Sequence, residues 1–295
     1  LGKLQSDWVI ASQTYALDGN RQLLRFHIQG KYRGWQGYID ADSRAKYLDK
    51  LKVLIVALRD NQYFSVKSDR AALAHLQLMQ GANPGNELIL RQQVILLFQL
   101  GELDRATALA DSLLQTAARP FEVGLLNLLK ARANLANASW QSAEQSIESA
   151  IEVFSNLKLP YLESQARMEA QWIYMLNRDR SAVVETLNLA AVKARLAKEP
   201  LQEVKSHIAQ SYQAAKVKEY ELARAQNDLA YQLIELHQLD ESHKIPILFN
   251  KAHIAKSEEL AISHYQQIVE STYSPLYKGE FYSSSQGILE QAIAA

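Results

Sequence analysis

The chain has 295 residues, 48% of them apolar and 22% charged, a composition that supports a sizeable core and excludes wholesale disorder. Lys and Arg, 32 together, balance 32 Asp and Glu, so the basic surplus needed to neutralise phosphates is missing and no nucleic-acid ligand is expected. Cysteine is absent, which excludes thiol catalysis, disulfides and zinc–thiolate sites; with only 11 glycines and 6 prolines to break helices, a mainly α chain is expected.

The chain opens at Leu1 with no secretory-leader pattern and is read as one module of a longer protein. Residues 1–43 read as a β-hairpin-containing arm. Val9 to Leu17 and Gln22 to Gln29 are strand-like runs around Asp18-Gly19-Asn20, a turn in which positive φ is tolerated. A third strand is predicted through Trp35 to Ile39, with Gly30, Gly34 and Gly37 as turns. The alternative is an irregular arm; an isolated hairpin is marginal in water, so either form must dock on its neighbours.

From Arg44 the period becomes helical: Tyr47, Leu48, Leu51, Leu54, Ile55 and Leu58 share one face, and Asp42 or Ser43 is placed to cap it. The longest aliphatic run, Val53 to Leu58, is far short of the ~20 residues of a bilayer span. A second helix is predicted from about Asp69 to Gln80, with Leu73, Leu76 and Met79 on one side. Gly81-Ala82-Asn83-Pro84-Gly85-Asn86 ends it, making 44–85 a degenerate first helix pair.

Residues 86–270 repeat. Small residues open every second helix at Ala106, Ala143, Ala182, Ala223 and Ala261, at steps of 37, 39, 41 and 38 residues, with Ala72 as an earlier degenerate member. Antiparallel helices pack at ~8–10 Å only where a small side chain permits it, and a single pair cannot cover its own apolar face. Residues 271–295 read as a C-terminal capping helix over Tyr277 to Ala295, with Ser283-Ser284-Ser285-Gln286 as its solvated surface. Trp140 and Trp172 are expected to fill core between helix pairs, whereas Trp8 and Trp35 belong to the arm.

The pattern Leu90, Val94, Leu97, Gly101, Ala106, Ala110, Leu113, closing at Pro120, resembles the tetratricopeptide repeat family over about residues 86–270. The glycine at the break becomes Ala138, Asn177, Lys218 and Lys256 in later members, and the long intervals imply extended helices. The resemblance implies a mainly α, right-handed superhelix of stacked antiparallel helix pairs. It also implies a groove walled by the first helix of each pair. Aligned on the alanines, its positions are Arg91, Ile95 and Phe98; Leu128, Arg132 and Leu135; Arg167, Gln171 and Tyr174; Lys205, Ile208 and Tyr212; Asn250 and His253. Arginine forks interleaved with aromatic rings suit a protein or peptide partner with acidic groups. A strand-containing arm before such an array also resembles the sensory domain of bacterial membrane-anchored winged-helix regulators. That resemblance implies a periplasmic location; the cytoplasmic regulators with long repeats are the alternative.

Signatures of chemistry are missing. None of His27, His75, His207, His237, His243, His253 and His264 forms a His-Glu-x-x-His motif or an i, i+4 pair, and a metal site around His237, Asp240, Glu241 and His243 is less expected than a solvated loop. There is no phosphate-cradling glycine loop and no Gly-x-Ser-x-Gly. Glu258-Glu259 fits a helix start. No cofactor, metal or catalytic residue is expected, and the reading is a non-enzymatic binding scaffold, a sensory or regulatory module of a larger protein. Two alternatives stay open: a small-molecule sensor with a pocket between the arm and the repeats, lined by Trp8, Tyr32 or Trp35, and an enzyme assembled across repeats.

Overall fold

In Gln22–Gln29 the apolar residues Leu24, Phe26 and Ile28 alternate with Arg25 and His27, a period of two that turns one face inward. This strand is the centre of an antiparallel sheet ordered β1 (Val9–Ala16), β2 (Gln22–Gln29) and β3 (Gly34–Ala41). The computed structural model describes residues 9–16, 21–30, 32–82, 84–117 and 119–255, with Leu260, Ser263, His264 and Gln267. The Asp18-Gly19-Asn20 turn, Trp8, Lys256, Glu258-Glu259, Ala261 and the capping helix predicted at 271–295 lie outside the described residues.

The register sets Ile28 opposite Trp35, Phe26 opposite Gly37 and Leu24 opposite Ile39. Gly34 and Gly37 are therefore strand residues rather than turns. A Cβ at Gly37 would come within 2.6 Å of Phe26 Cζ, so glycine leaves room for the ring across the strand.

The chain divides into two compact units, Leu1–Leu159 and Pro160–Ala295. In the first, the sheet packs on α1 (Arg44–Asp60), whose N-cap Ser43 accepts the Lys46 N–H at 3.4 Å. A 3₁₀ turn (Tyr63–Ser65) and α2 (Asp69–Ala82), α3 (Glu87–Gln99), α4 (Leu103–Thr116), α5 (Pro120–Ala136) and α6 (Trp140–Asn156) follow. Phe26, Ile28, Trp35 and Ile39 share one core with Leu54, Leu58, Tyr63, Leu76, Ile89, Val94 and Ala106. Trp35 meets Tyr63 at 5.4 Å between ring centroids. Arg33 fastens the sheet from its edge: Nε donates to the Val66 carbonyl at 3.0 Å, and the guanidinium pairs with Asp69 at 3.1 Å.

The second unit contains α7 (Pro160–Leu176), α8 (Arg180–Leu196), α9 (Pro200–Lys216), α10 (Tyr220–Leu236), a 3₁₀ turn (Glu241–Lys244) and α11 (Ile245–His253). α7 packs on α8, α8 on α9 and α9 on α10. Small residues sit where backbones approach: Ser164 Oγ donates to the Ala190 carbonyl at 2.8 Å, and Ser211 Oγ to the Ala223 carbonyl at 2.9 Å.

From Pro120 onward the chain keeps a strict rhythm. α5 to α10 are 17 residues each, and Pro120, Pro160 and Pro200 open every second helix, where proline's missing N–H costs nothing. Each ends on a left-handed residue, at Ala138, Lys158, Arg178, Lys198, Lys218 and Gln238, with φ between 49° and 63°. The next N–H returns to a carbonyl five residues back, as in Asp179 to Tyr174 and Glu219 to Ala214, both 2.9 Å. The repeat is therefore 40 residues long, and its register corrects two sequence readings by one residue. The left-handed break is Arg178 rather than Asn177, and the counterpart of Ala143 and Ala223 is Val183 rather than Ala182. Ala143 and Ala223 are fully buried and Val183 nearly so, whereas Ala182 is half-buried. Among the described residues no helix is long and apolar enough to cross a membrane.

Candidate functional site

The one-residue slip carries into the predicted groove. On α7 it selected Arg167, Gln171 and Tyr174, whereas the 40-residue register aligns Leu128, Arg132 and Leu135 of α5 with Met168, Trp172 and Met175. Gln171 accordingly lies in the core at 3% exposure, its amide donating to the Met168 carbonyl at 3.0 Å. Trp172, expected inside, is 40% exposed because its position faces outward. Trp140 is 39% exposed because it opens α6 at the rim.

The other predicted positions have varied fates. Arg91 is buried against the sheet, donating to the Tyr38 carbonyl at 3.0 Å. Phe98 packs on the first unit's core; Ile95 and Arg132 are half-buried and Leu128 is buried. In the second unit Arg167 is tied to Glu163 at 2.8 Å, Tyr174 is half-buried, and Asn250 is buried with its amide on the Ile208 carbonyl at 3.1 Å. Lys205 and His253 are exposed, and Tyr212 carries Lys216 Nζ 4.7 Å above its ring. Trp35, named for a pocket under the arm, is a core residue at 2% exposure. Tyr32 is 43% exposed with Lys67 Nζ 4.9 Å from its ring.

The second unit contains a site the sequence did not announce. Where the ends of α7 and α9 meet the starts of α8 and α10, a cavity of about 340 Å³ opens to solvent. Met175, Val183, Val184, Leu187, Ala214, Val217 and Leu222 make its apolar surface. Val184, Val217 and Leu222 are 47%, 42% and 46% exposed, so this part of the lining is open to solvent. Polar groups ring it: Arg180 is ion-paired with Glu219, Gln210 donates to Asn188 at 3.1 Å, and Arg178 stands on the left-handed turn. Lys216 Nζ lies 3.9 Å and Gln213 Nε2 3.6 Å from Met175 Sδ. The available sequence signal was three apolar residues displaced from the buried stripe: Val184 and Leu222 in the early turns of α8 and α10, and Val217 at the C-cap of α9.

In the first unit, charges gather behind β3. Arg119 pairs with Glu87 at 2.5 Å and with Glu122, and also donates to the Asp40 carbonyl at 3.2 Å. Burial pushes the Glu122 carboxyl up to about 7, reinforced by its hydrogen bond with Glu87 and opposed by Arg119. Glu87 falls below the ordinary carboxylate range: Glu122, Arg119 and Arg91 together outweigh its own burial. The cluster is an internal clamp joining α3 and α5 to the sheet. Around the predicted loop, Asp240 accepts the Ser242 N–H at 2.9 Å as a cap, and among the described residues no three potential metal ligands converge.

No family model matches the chain, and no curated protein matches it. Among solved structures, the crystal structure of the apo form of RapI aligns over 81% of this chain and 93% of that one, with a TM-score of 0.62 at 12% identity. The fold is a tetratricopeptide-like helical repeat. At that identity the likeness concerns the layout of helices and carries no individual side chain.

Proposed function

We propose that this chain is a non-enzymatic scaffold that binds a protein or peptide, serving as a sensory or regulatory module of a larger bacterial signalling or transcription-regulating protein. The observation that carries the reading is the open apolar pocket of the second unit, whose lining includes the solvent-exposed Val184, Val217 and Leu222. Contiguous apolar surface framed by polar groups is the usual mark of a binding site. The helical-repeat fold shared with RapI supports it, since stacked helix pairs offer extended surfaces to partners.

Selection of random peptides displayed on phage against the immobilised chain tests this reading. Selected peptides should lose binding to Leu222→Asp, which keeps the wild-type helical circular dichroism because Leu222 is 46% exposed. Peptides that bind Leu222→Asp as well as wild type, or no enrichment at all, contradict the reading.

A further inference from the structure

We infer that the partner element received by the second unit's pocket is an acidic amphipathic peptide: an apolar side chain enters the cavity while neighbouring carboxylates pair with Arg178 and Lys216. The inference rests on the scaffold reading above and adds the form and charge of the partner.

Volume is the first argument. A dry cavity of ~150 Å³ accepts a benzene molecule, so about 340 Å³ holds one aromatic or two aliphatic side chains. Form follows from the opening. The cavity is open, with Val184, Val217 and Leu222 of its lining 42–47% exposed, so an apolar side chain can enter while the helix that carries it stays at the mouth, beside the polar rim.

Charge is the third argument. At the rim Arg180 and Glu219 neutralise each other. Arg178 has no acidic partner among the described residues. Among the described residues Lys216 meets the Tyr212 ring at 4.7 Å and the Met175 sulfur at 3.9 Å and has no acidic partner. The charge left over at the mouth is thus positive, and it sits beside apolar surface where a carboxylate is less well screened than in bulk water. Arg178 is also held in place from below: its N–H donates to the Met175 carbonyl at 3.1 Å within the left-handed turn, so the base of its side chain is positioned before any partner arrives.

The test uses fluorescence anisotropy with the full chain and a labelled amphipathic peptide bearing leucines at helical i, i+4 and i+7 and glutamates between. Companion peptides replace the glutamates by lysines or the leucines by serines, and laurate is a small anionic competitor. The glutamate peptide should bind at least ~10-fold tighter than the lysine peptide, weaken with added salt, and lose binding when its leucines are removed. The double variant Arg178→Glu/Lys216→Glu, both exposed positions, should reverse the preference between the two charged peptides. Equal binding of both charged peptides, each abolished by Leu222→Asp, would overturn the acidic assignment and leave the scaffold reading intact. Binding of laurate without binding of any peptide would replace the peptide by a small amphiphile. If neither peptides nor laurate bind, this inference falls, and the phage selection decides the scaffold reading separately.

Discussion

Replacing Glu122 by Gln should change how the stability of the first unit depends on pH, and the structure sets both sign and size. Glu122 lies in the first turn of α5 at 5% exposure, hydrogen-bonded with Glu87 and facing Arg119 from α5's N-cap and Arg91 from α3. Its carboxyl titrates near 7 in the fold against an ordinary 4.5. The native state therefore holds a proton that the unfolded chain has released between those values. Its contribution to stability is complete below about 4.5 and is lost as pH rises through about 7. One pKa unit corresponds to ~1.4 kcal/mol, which bounds the effect at ~3.5 kcal/mol. One factor reduces it: a cavity of about 20 Å³ lined by Glu87, Arg91 and Glu122 is large enough for one screening water. The lowered Glu87 carboxyl acts below about 4.5 and leaves the slope between pH 5 and pH 8 to Glu122. The expected net loss between pH 5 and pH 8 is ~1–2 kcal/mol.

A glutamine side chain at this position keeps the shape and hydrogen bonding without ionising, so the variant should lack this component. Urea unfolding followed by circular dichroism across that pH range, wild type against Glu122→Gln, isolates this contribution as a difference of slopes. A carboxyl-carbon NMR titration in glutamate-labelled protein should show one midpoint near 7 that disappears in the variant. Parallel stability curves, with no such midpoint, would refute the argument that burial beside a second carboxyl governs this group.

The 40-residue register makes its own predictions. Ala143→Leu should overpack the buried face of α6 and cost ~1–3 kcal/mol, whereas Ala182→Leu, at a half-buried position, should cost less than ~1 kcal/mol; equal losses in urea unfolding would return the register to the alanine series. Lys218→Gly should stabilise the second unit by ~0.5–1 kcal/mol, because glycine relieves the left-handed strain at φ 63° and repays only part of it as unfolded-state entropy. A lower melting temperature would show that the turn is not strained. Gly37→Val should drive a side chain into Phe26 and lower stability by at least ~2 kcal/mol, read from the melting of the sheet's circular-dichroism signal.

Much of the architecture could be read in advance because it depends on local rules. The alternation in Gln22–Gln29 marks β2 without reference to anything distant, and the i, i+3, i+4 spacing from Tyr47 to Leu58 does the same for α1. Ser43 at the helix start follows from the oxygen its first amides need. The repeat was harder because alanine is a weak landmark: Ala182 and Val183 are adjacent, and close helix approach tolerates valine when the facing side chain recedes. The prolines at 120, 160 and 200 are stronger markers, since a missing N–H is harmless only in a first helical turn. Six left-handed breaks without glycine concealed the same period from a glycine-based reading.

The binding residues were less legible than the fold for a related reason. A single groove wall assumes that each first helix presents the same stripe to solvent, but this holds only if the register is right and the stripe is not needed elsewhere. Arg91 occupies its aligned position and is nonetheless consumed inside the first unit, because the sheet's Tyr38 carbonyl and the carboxyls of Glu87 and Glu122 surround it. The pocket of the second unit depends on four helix ends converging, a tertiary event with no periodic trace. What the sequence does hold is a set of apolar residues displaced from the buried stripe at non-equivalent positions, Val184 and Leu222 in the early turns of α8 and α10 and Val217 at the C-cap of α9. In a repeat array the core is written by positions that recur, so a binding surface is better sought among apolar residues that break the recurrence.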